Sequence, residues 1–184
     1  MFDIQPGVQF AIGQLLEFNL HPAHRLRLAS RYHLAGWISH VVRDLLQLPL
    51  PDYTTEDIEH IGVNIFIIIA TAKEKISIER KRFTNYVPFP KNSENAPFCL
   101  QHTTCKKVWY EVWFTVIVRR IHSVTDYIPL VNLPAELQST DHNGINLECK
   151  RFIIEWIQDS PHLQVEERII TNTVDSINDL CGIL

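Results

Sequence analysis

Glycine is scarce in this sequence, and its scarcity narrows the fold class. Only six glycines occur among 184 residues. β-sandwiches and β-barrels need many tight turns, where glycine is a preferred residue, and phosphate-binding loops are also rich in it. The composition therefore disfavours an all-β fold and a nucleotide-binding loop.

Long apolar runs and a large charge of one sign are also missing. The most apolar run, Val63–Ala72, is too short to span a bilayer and continues into Lys73. The formal net charge is −4, so we expect neither nucleic acid nor a membrane as a partner. Residues 134–184 hold 3 basic and 9 acidic side chains, which indicates a solvated helix face or a surface for a basic partner.

Cysteine is sparse as well, with four residues at positions 99, 105, 149 and 181. The first residues lack the basic and apolar regions of a secretory signal, and no N-glycosylation sequon occurs. We therefore expect reduced thiols and an intracellular location, in the cytoplasm or the nucleus. A chain of this length and composition can fold without disulfides or metals.

Prolines and capping residues divide the chain into helical segments. Apolar residues recur at helical spacing along Trp37–Leu48, and the two prolines of the Leu48–Asp52 linker stop this helix. Thr54 is a good cap for a short helix that ends at Gly62. Comparable signals predict further helices over Val8–Phe18, from Pro22 to an interruption at Ala35-Gly36, from Val63 to about Phe83, from Thr103 to about Ile121, from Asn146 to Asp159, and from Ser160-Pro161 to Cys181-Gly182.

These segments predict a mainly α fold, an irregular array of seven or eight helices in two packed groups. The expected organisation is a helical segment over 1–83, an irregular connector over 84–102 and a C-terminal helical group over 103–184. Its central helix, Trp109–Ile121, is apolar nearly all round and should be buried on most sides, although its β-branched content leaves a strand open. Residues 123–139 are expected to form a loop with at most one helical turn. The tryptophans are expected in the core, at positions 37, 109, 113 and 156.

One cluster resembles a metal-binding motif, Cys99-x2-His102-x2-Cys105. Zinc needs three or four such ligands that converge on a tetrahedron. The fourth ligand would have to come from elsewhere in the chain, and the candidates are His122, His142, Cys149 and Cys181. None of them repeats the paired spacing of a zinc finger. The favoured interpretation is therefore two small buried thiols at a loop-to-helix junction beside a surface histidine, with no metal bound.

Catalytic motifs are missing from the sequence. Cys105 lies near a helix start beside Lys106 and Lys107, which is the setting of a reactive thiol. A histidine base and an orienting Asn or Asp would also have to converge on it. Hydrolase, metalloprotease, Walker and dinucleotide-binding motifs do not occur. We therefore predict no enzyme activity and no catalytic, cofactor-binding or metal-binding residues.

The order of several short segments resembles a known family. The first segment is His21–Trp37, which holds a proline, a Leu-Ala-x-x-Tyr-like core and a tryptophan. The second is Leu50–Gly62, with leucine, threonines and paired acids before a glycine, and the third is the charged helix Ile67–Arg82. Further matches are Pro97-Phe98-Cys99, Cys105-Lys106-x-Val108-Trp109, Trp113-Phe114, Pro129 and Glu148-Cys149-Lys150.

This order is similar to the C-terminal helical region of the BTB/POZ-domain protein families of mushroom-forming fungi. The resemblance covers about residues 8–170. It implies an interaction protein without catalytic residues, and it implies that the BTB fold itself is missing from this chain. BTB-type dimerisation and recruitment of a cullin ligase are therefore not expected.

Composition and resemblance together predict a non-enzymatic protein-interaction or scaffold module that binds another protein and needs no cofactor. The alternative is a zinc-stabilised module or a thiol enzyme that uses Cys99, His102 and Cys105.

Overall fold

The computed structural model describes residues 20–89, 99–123, 126–140 and 144–182. All regular structure in these ranges is helical, so the predicted mainly α fold is confirmed and the strand considered for residues 109–121 is ruled out. The predicted helix over Val8–Phe18 lies outside the described residues. The helices are α1 (Pro22–Arg31), α2 (Ala35–Gln47), α3 (Thr55–Ile61), α4 (Val63–Thr84), α5 (His102–Val112, a π-helical turn Trp113–Ile117, and Val118–Ile121), α6 (Leu133–Ser139), α7 (Leu147–Gln158) and α8 (His162–Cys181).

The chain forms two compact units. The first contains the described residues of Met1–Ala70 and Thr173–Leu184, and the second contains those of Thr71–Asn172. The division falls within α4 and α8. It does not coincide with the connector expected at residues 84–102, because the C-terminal half of α4 packs with the second unit. Phe83, for example, belongs to the core that surrounds Trp113.

The first unit is built on α1, which packs against α2 and α3. Ala23, Leu26 and Ala29 form the buried face of α1. The predicted stripe on α2 is confirmed at its centre, where Val41 and Leu45 are buried. The core is mainly aliphatic, and its other buried members are Ile38, Val42, Tyr53, Ile61, Ile69 and Ile177.

A tyrosine replaces a missing backbone donor at the end of α2. In a regular helix the carbonyl of Leu45 would accept a hydrogen bond from residue 49, but Pro49 has no N–H group. The buried Tyr53 hydroxyl donates to this carbonyl at 2.6 Å. Burial, together with the nearby carboxylate of Asp57, raises the pKa of Tyr53, so the hydroxyl keeps its proton. The linker after α2 is thereby fastened to the helix that it follows.

The start of α3 confirms the predicted cap. The Thr54 hydroxyl accepts from the backbone N–H of Asp57 at 3.1 Å, and the Asp57 carboxylate accepts from the N–H of Thr54 at 3.0 Å. This reciprocal pair is a capping box. Gly62, with φ +83°, then ends the helix in a conformation that favours glycine.

The second unit packs around two aromatic side chains of α5. Trp109 and Trp113 are almost fully buried, and their indoles donate hydrogen bonds to carbonyls at the last residue of α4 and in the segment after it. Trp113 Nε1 lies 3.2 Å from the carbonyl of Thr84, and Trp109 Nε1 lies 2.7 Å from that of Pro88. The two tryptophans therefore bury apolar area and also hold the irregular chain that follows α4.

A buried ion pair fixes another irregular segment of this unit. The Arg80 guanidinium donates to the Glu166 carboxylate at 2.5 Å and stacks over the ring of Tyr127. The hydroxyl of Tyr127 also donates to Glu166, whose second oxygen accepts from the N–H of Leu130 at 3.3 Å. Side chains of α4 and α8 thereby hold the backbone that precedes α6.

Several sequence predictions for the second unit were wrong in detail. The helix over 109–121 is buried on one face only, because Tyr110, Phe114 and Val116 are exposed. Trp156 is also 47% exposed, because it lies at the edge of the α7 face that buries Ile153 and Ile157. The exposed acids Glu111 and Glu155 are the sequence neighbours of Tyr110 and Trp156.

Three helix boundaries also differ from the predictions. The expected loop over 123–139 contains α6, which forms because Pro134 fits the first helical turn while Leu133 and Leu137, one turn apart, are both buried. The expected cap at Thr103-Thr104 is Gln101, so α5 begins at His102. The break before α2 lies at His33, with φ +52°, and not at Ala35-Gly36.

None of the helices in the described ranges combines the length and the apolar character needed to cross a membrane.

Candidate metal site

The second unit gathers three cysteines and one histidine at the starts of two helices. Cys99 precedes α5, His102 and Cys105 lie in its first turns, and Cys149 lies in the first turn of α7. Helix N-termini carry a partial positive charge, which favours thiolates over thiols. This placement brings the side chains of four potential metal ligands into one cluster.

The distances between ligand atoms fit a tetrahedral zinc site. Zinc–sulfur bonds of about 2.3 Å and zinc–nitrogen bonds of about 2.0 Å imply sulfur–sulfur edges of about 3.8 Å and sulfur–nitrogen edges of about 3.6 Å. Cys99 Sγ lies 3.6 Å from Cys105 Sγ, and Cys149 Sγ lies 3.4 Å from His102 Nδ1. One ligand atom each from Cys99, His102 and Cys149 lies within 4.8 Å of the others. Cys99, His102 and Cys149 therefore stand at about the separation that one shared zinc ion requires, and Cys105 lies beside Cys99.

Local backbone contacts hold this arrangement. Asn146 caps α7, because its side chain accepts from the N–H of Glu148 at 2.9 Å. The backbone N–H of Asn146 points to Cys105 Sγ at 3.3 Å, a contact that stabilises a thiolate. Gly144, with φ +90°, lies close to α5, where an added Cβ would meet Val108 at 3.4 Å. The start of α7 is thus fitted to the sulfur atoms of α5.

The environment treats the thiols differently. Burial opposes ionisation of Cys99, but hydrogen bonds from Cys149, from the backbone of Gln101 and from Cys105 outweigh it and lower its pKa. Burial, reinforced by the hydrogen bonds of its two cysteine neighbours, raises the pKa of Cys149. Of these two thiols, Cys99 therefore ionises more readily than Cys149. A divalent cation would favour the thiolate form of each cysteine that binds it, because metal-bound thiols are deprotonated.

The structure corrects the interpretation of two buried thiols beside a surface histidine. His102 is half-buried, contacts Cys149 and lies against the ring of Phe89, with 5.2 Å between ring centroids. Cys149 is the residue that joins Cys99, His102 and Cys105 in the cluster. The sequence held one signal for it: Asn146, three residues earlier, is a helix cap, which places Cys149 in the first turn of a helix.

Two of the other candidates for a fourth ligand, His122 and Cys181, lie elsewhere. His122 pairs with the Thr84 hydroxyl at 3.1 Å, and burial together with Arg80 and Lys81 lowers its pKa. Cys181 packs in the first unit. His142 lies outside the described residues.

Comparison of this chain with protein-family models, with curated proteins and with solved structures found no match.

Proposed function

We propose that this chain is a non-enzymatic protein-interaction module whose second unit is stabilised by zinc. The observation that supports it is that one ligand atom each from Cys99, His102 and Cys149 lies within 4.8 Å of the others, with Cys105 Sγ 3.6 Å from Cys99 Sγ as a fourth ligand for the site. Four protein ligands fill the coordination shell of zinc, which is typical of structural sites, whereas catalytic sites keep one position for water or substrate.

A bound ion would join parts of the second unit that are distant in sequence. Cys99 belongs to the irregular segment before α5, and Cys149 is at the start of α7. Because these ligands do not converge in an unfolded chain, the free energy of zinc binding becomes free energy of folding. The zinc site would therefore act as a fastening for the second unit, and it would leave the exposed faces of its helices available to another protein.

The exposed face of α5 is the surface that we propose for protein binding. Tyr110 and Phe114, one turn apart, are 41% and 52% exposed. Aromatic side chains are enriched at protein interfaces because each buries a large area at a small cost in conformational entropy. The surface is presented by the same helix that carries His102 and Cys105.

Thermal unfolding with and without a chelator tests the zinc proposal. Wild-type protein loaded with zinc should melt at a higher temperature than the same protein after chelation, and His102→Ala should melt like the chelated wild type. Cys181→Ser is the matched control, because this cysteine lies in the first unit and should leave the chelator effect unchanged. Identical melting of the wild type with and without chelator contradicts the proposal.

Co-purification tests the interaction surface. A tagged full-length chain should retain a protein partner from fungal extract, and Phe114→Asp should lose it while keeping the wild-type zinc content. Glu111→Gln, a change on the exposed side of the same helix, should retain the partner. Equal retention by Phe114→Asp, or no retained partner with the wild type, contradicts this use of the surface.

The second candidate is a thiol enzyme that uses Cys99, His102 and Cys105, and it is favoured by the lowered pKa of Cys99. Metal analysis and alkylation separate the two. A zinc-stabilised module should hold a zinc ion that is lost in Cys105→Ser and that protects Cys99 from alkylation. A thiol enzyme should be isolated without zinc and should be alkylated rapidly at Cys99.

We further propose that this module is the helical part that follows the BTB fold in fungal BTB/POZ-type proteins, and that it works in the cytoplasm or nucleus. The support is the order of the matching segments, from His21–Trp37 to Glu148–Lys150. A reducing compartment would also keep the thiols available to zinc. Sequencing the transcript upstream of the Met1 codon tests the first point: an encoded BTB fold supports it, and any other coding sequence contradicts it.

A further inference from the structure

A second group of metal-ligand side chains lies in the first unit. His24 is in the first turn of α1, and Glu56 and His60 are one turn apart on α3. One ligand atom from each of the three lies within 4.8 Å of the others. We propose that these residues form a site for a divalent transition-metal ion, separate from the cysteine cluster of the second unit.

The chemistry of the three side chains suits such an ion. The imidazole rings of His24 and His60 have centroids 4.1 Å apart, and Nε2 of His60 lies 3.6 Å from the Glu56 carboxylate. Two imidazole nitrogens and one carboxylate oxygen are the ligand set that binds Zn²⁺, Co²⁺ and related ions, in contrast to the oxygen-rich sites of Ca²⁺ and Mg²⁺. Three protein ligands leave at least one position for water, so this site would be open where the cysteine site is closed.

The helix ends that carry the ligands are joined without the help of an ion. His21 Nδ1, at the start of α1, lies 2.7 Å from the carboxylate of Asp57 on α3. Asp57 is buried and is held by the capping box with Thr54. Because α1 also packs against α3, His24 already faces the turn of Glu56 and His60. An ion would bind ligands that are already assembled, which lowers the entropic cost of binding.

Arg27 is the group that opposes the ion. Its guanidinium lies 3.1 Å from Nδ1 of His60. A neutral imidazole that binds a metal through Nε2 carries its proton on Nδ1, which leaves no acceptor for an arginine. Arg27 must therefore turn away, and its exposed side chain can move into solvent. Arg27→Ala should accordingly bind the ion at least as tightly as the wild type.

Titration with Co²⁺ of the full chain loaded with one equivalent of zinc tests this site. We expect one saturable Co²⁺ per chain, with paramagnetic broadening of the His24 and His60 ring resonances. Co²⁺ that exchanged into the cysteine cluster would instead show a sulfur-to-cobalt charge-transfer band, so the two sites are distinguished in one experiment. Failure of either metal site would leave the other unaffected.

Two variants make the test decisive. Glu56→Gln removes a ligand from an exposed position and should weaken Co²⁺ binding at least about tenfold. Loss of a group that only supports a metal ligand already weakens binding by this amount, so loss of a ligand itself should do no less. His40→Ala, an exposed histidine of α2, should bind like the wild type. The proposal is overturned if all saturable Co²⁺ binding of the wild type is accompanied by the charge-transfer band, or if no saturable binding occurs. It is also overturned if Glu56→Gln binds Co²⁺ as tightly as the wild type, or if Arg27→Ala binds Co²⁺ more weakly.

Discussion

The two compact units solve different problems of stability. The core of the first unit is mainly aliphatic, and its helices are joined by short connections with well-formed caps, such as the capping box at Thr54. The second unit includes irregular stretches beside its helices, among them the described residues 85–89, 99–101 and 126–129. Specific polar groups hold those segments: the indoles of Trp109 and Trp113, the Arg80–Glu166 pair and the cysteine cluster. The comparison shows that irregular chain is fixed here by directed contacts, whereas regular helices need little beyond apolar packing and caps.

The largest expected difference concerns the buried tryptophan of the second unit. Trp113→Ala should lower the free energy of unfolding by about 3–5 kcal/mol, because it leaves a large cavity and also removes the hydrogen bond to Thr84. Chemical denaturation measures it. Trp156→Ala, at a position 47% exposed, is the control and should cost on the order of 0.5 kcal/mol. Equal costs would contradict the assignment of core and surface.

The next largest effect is expected at the buried ion pair. Glu166→Gln should destabilise the protein by about 3 kcal/mol, since it leaves the Arg80 guanidinium without its counter-charge in the interior. Glu155→Gln removes the exposed ion pair with Arg151 in the same unit and should cost less than about 1 kcal/mol. If both variants lose the same free energy of unfolding in urea denaturation, the buried ion pair would not be a specific source of stability in the second unit.

A smaller effect is expected at the one directed contact that replaces a backbone donor in the first unit. Tyr53→Phe keeps the packing but leaves the Leu45 carbonyl without a donor, at a cost of about 1.5 kcal/mol. Tyr86→Phe, at an exposed position, should change nothing that a thermal melt can detect. If Tyr53→Phe leaves the stability unchanged, packing alone holds the linker after α2.

The smallest effect should depend on pH. Burial opposes ionisation of Asp57, but hydrogen bonds from Thr54 and the nearby His21 and His24 outweigh it, so its pKa lies below the ordinary 3.8. Because the pKa of Asp57 is lower in the folded than in the unfolded state, its carboxylate stabilises the folded protein above pH 3.8. This contribution is lost as the pH falls through the pKa of the folded state. Asp57→Asn should cost about 1 kcal/mol at neutral pH. The difference from the wild type should shrink below pH 3.8.

Chemical denaturation at several pH values measures how the destabilisation caused by Asp57→Asn depends on pH. Glu59→Gln, on the exposed side of the same helix, should show no such pH dependence relative to the wild type. A cost of Asp57→Asn that stays constant down to pH 2 would contradict the assigned role of the carboxylate.

The sequence predicted structure that depends on local signals better than structure that depends on packing between helices. Local signals were sufficient for the helices, since caps, prolines and apolar spacing act within a few residues, as at Thr54 and Asn146. They failed at α6, where a buried leucine pair replaces a recognisable cap, and at Trp156, whose side of the helix is set by packing.

The candidate site was half predictable. The spacing of Cys99, His102 and Cys105 was visible in the sequence, but the fourth ligand depends on how the start of α7 meets α5. Sequence spacing alone could not select Cys149 from four candidates. The histidine cluster of the first unit was missed for the same reason, because His24 and His60 belong to different helices.

X-ray absorption at the zinc edge tests the central claim most directly, that the cysteine cluster of the second unit is a closed zinc site. The wild type should show three sulfur ligands at about 2.3 Å and one nitrogen ligand at about 2.0 Å. Cys149→Ser should lose one sulfur or the ion itself. A wild-type protein that takes up no zinc, or zinc surrounded only by nitrogen and oxygen, would contradict the claim.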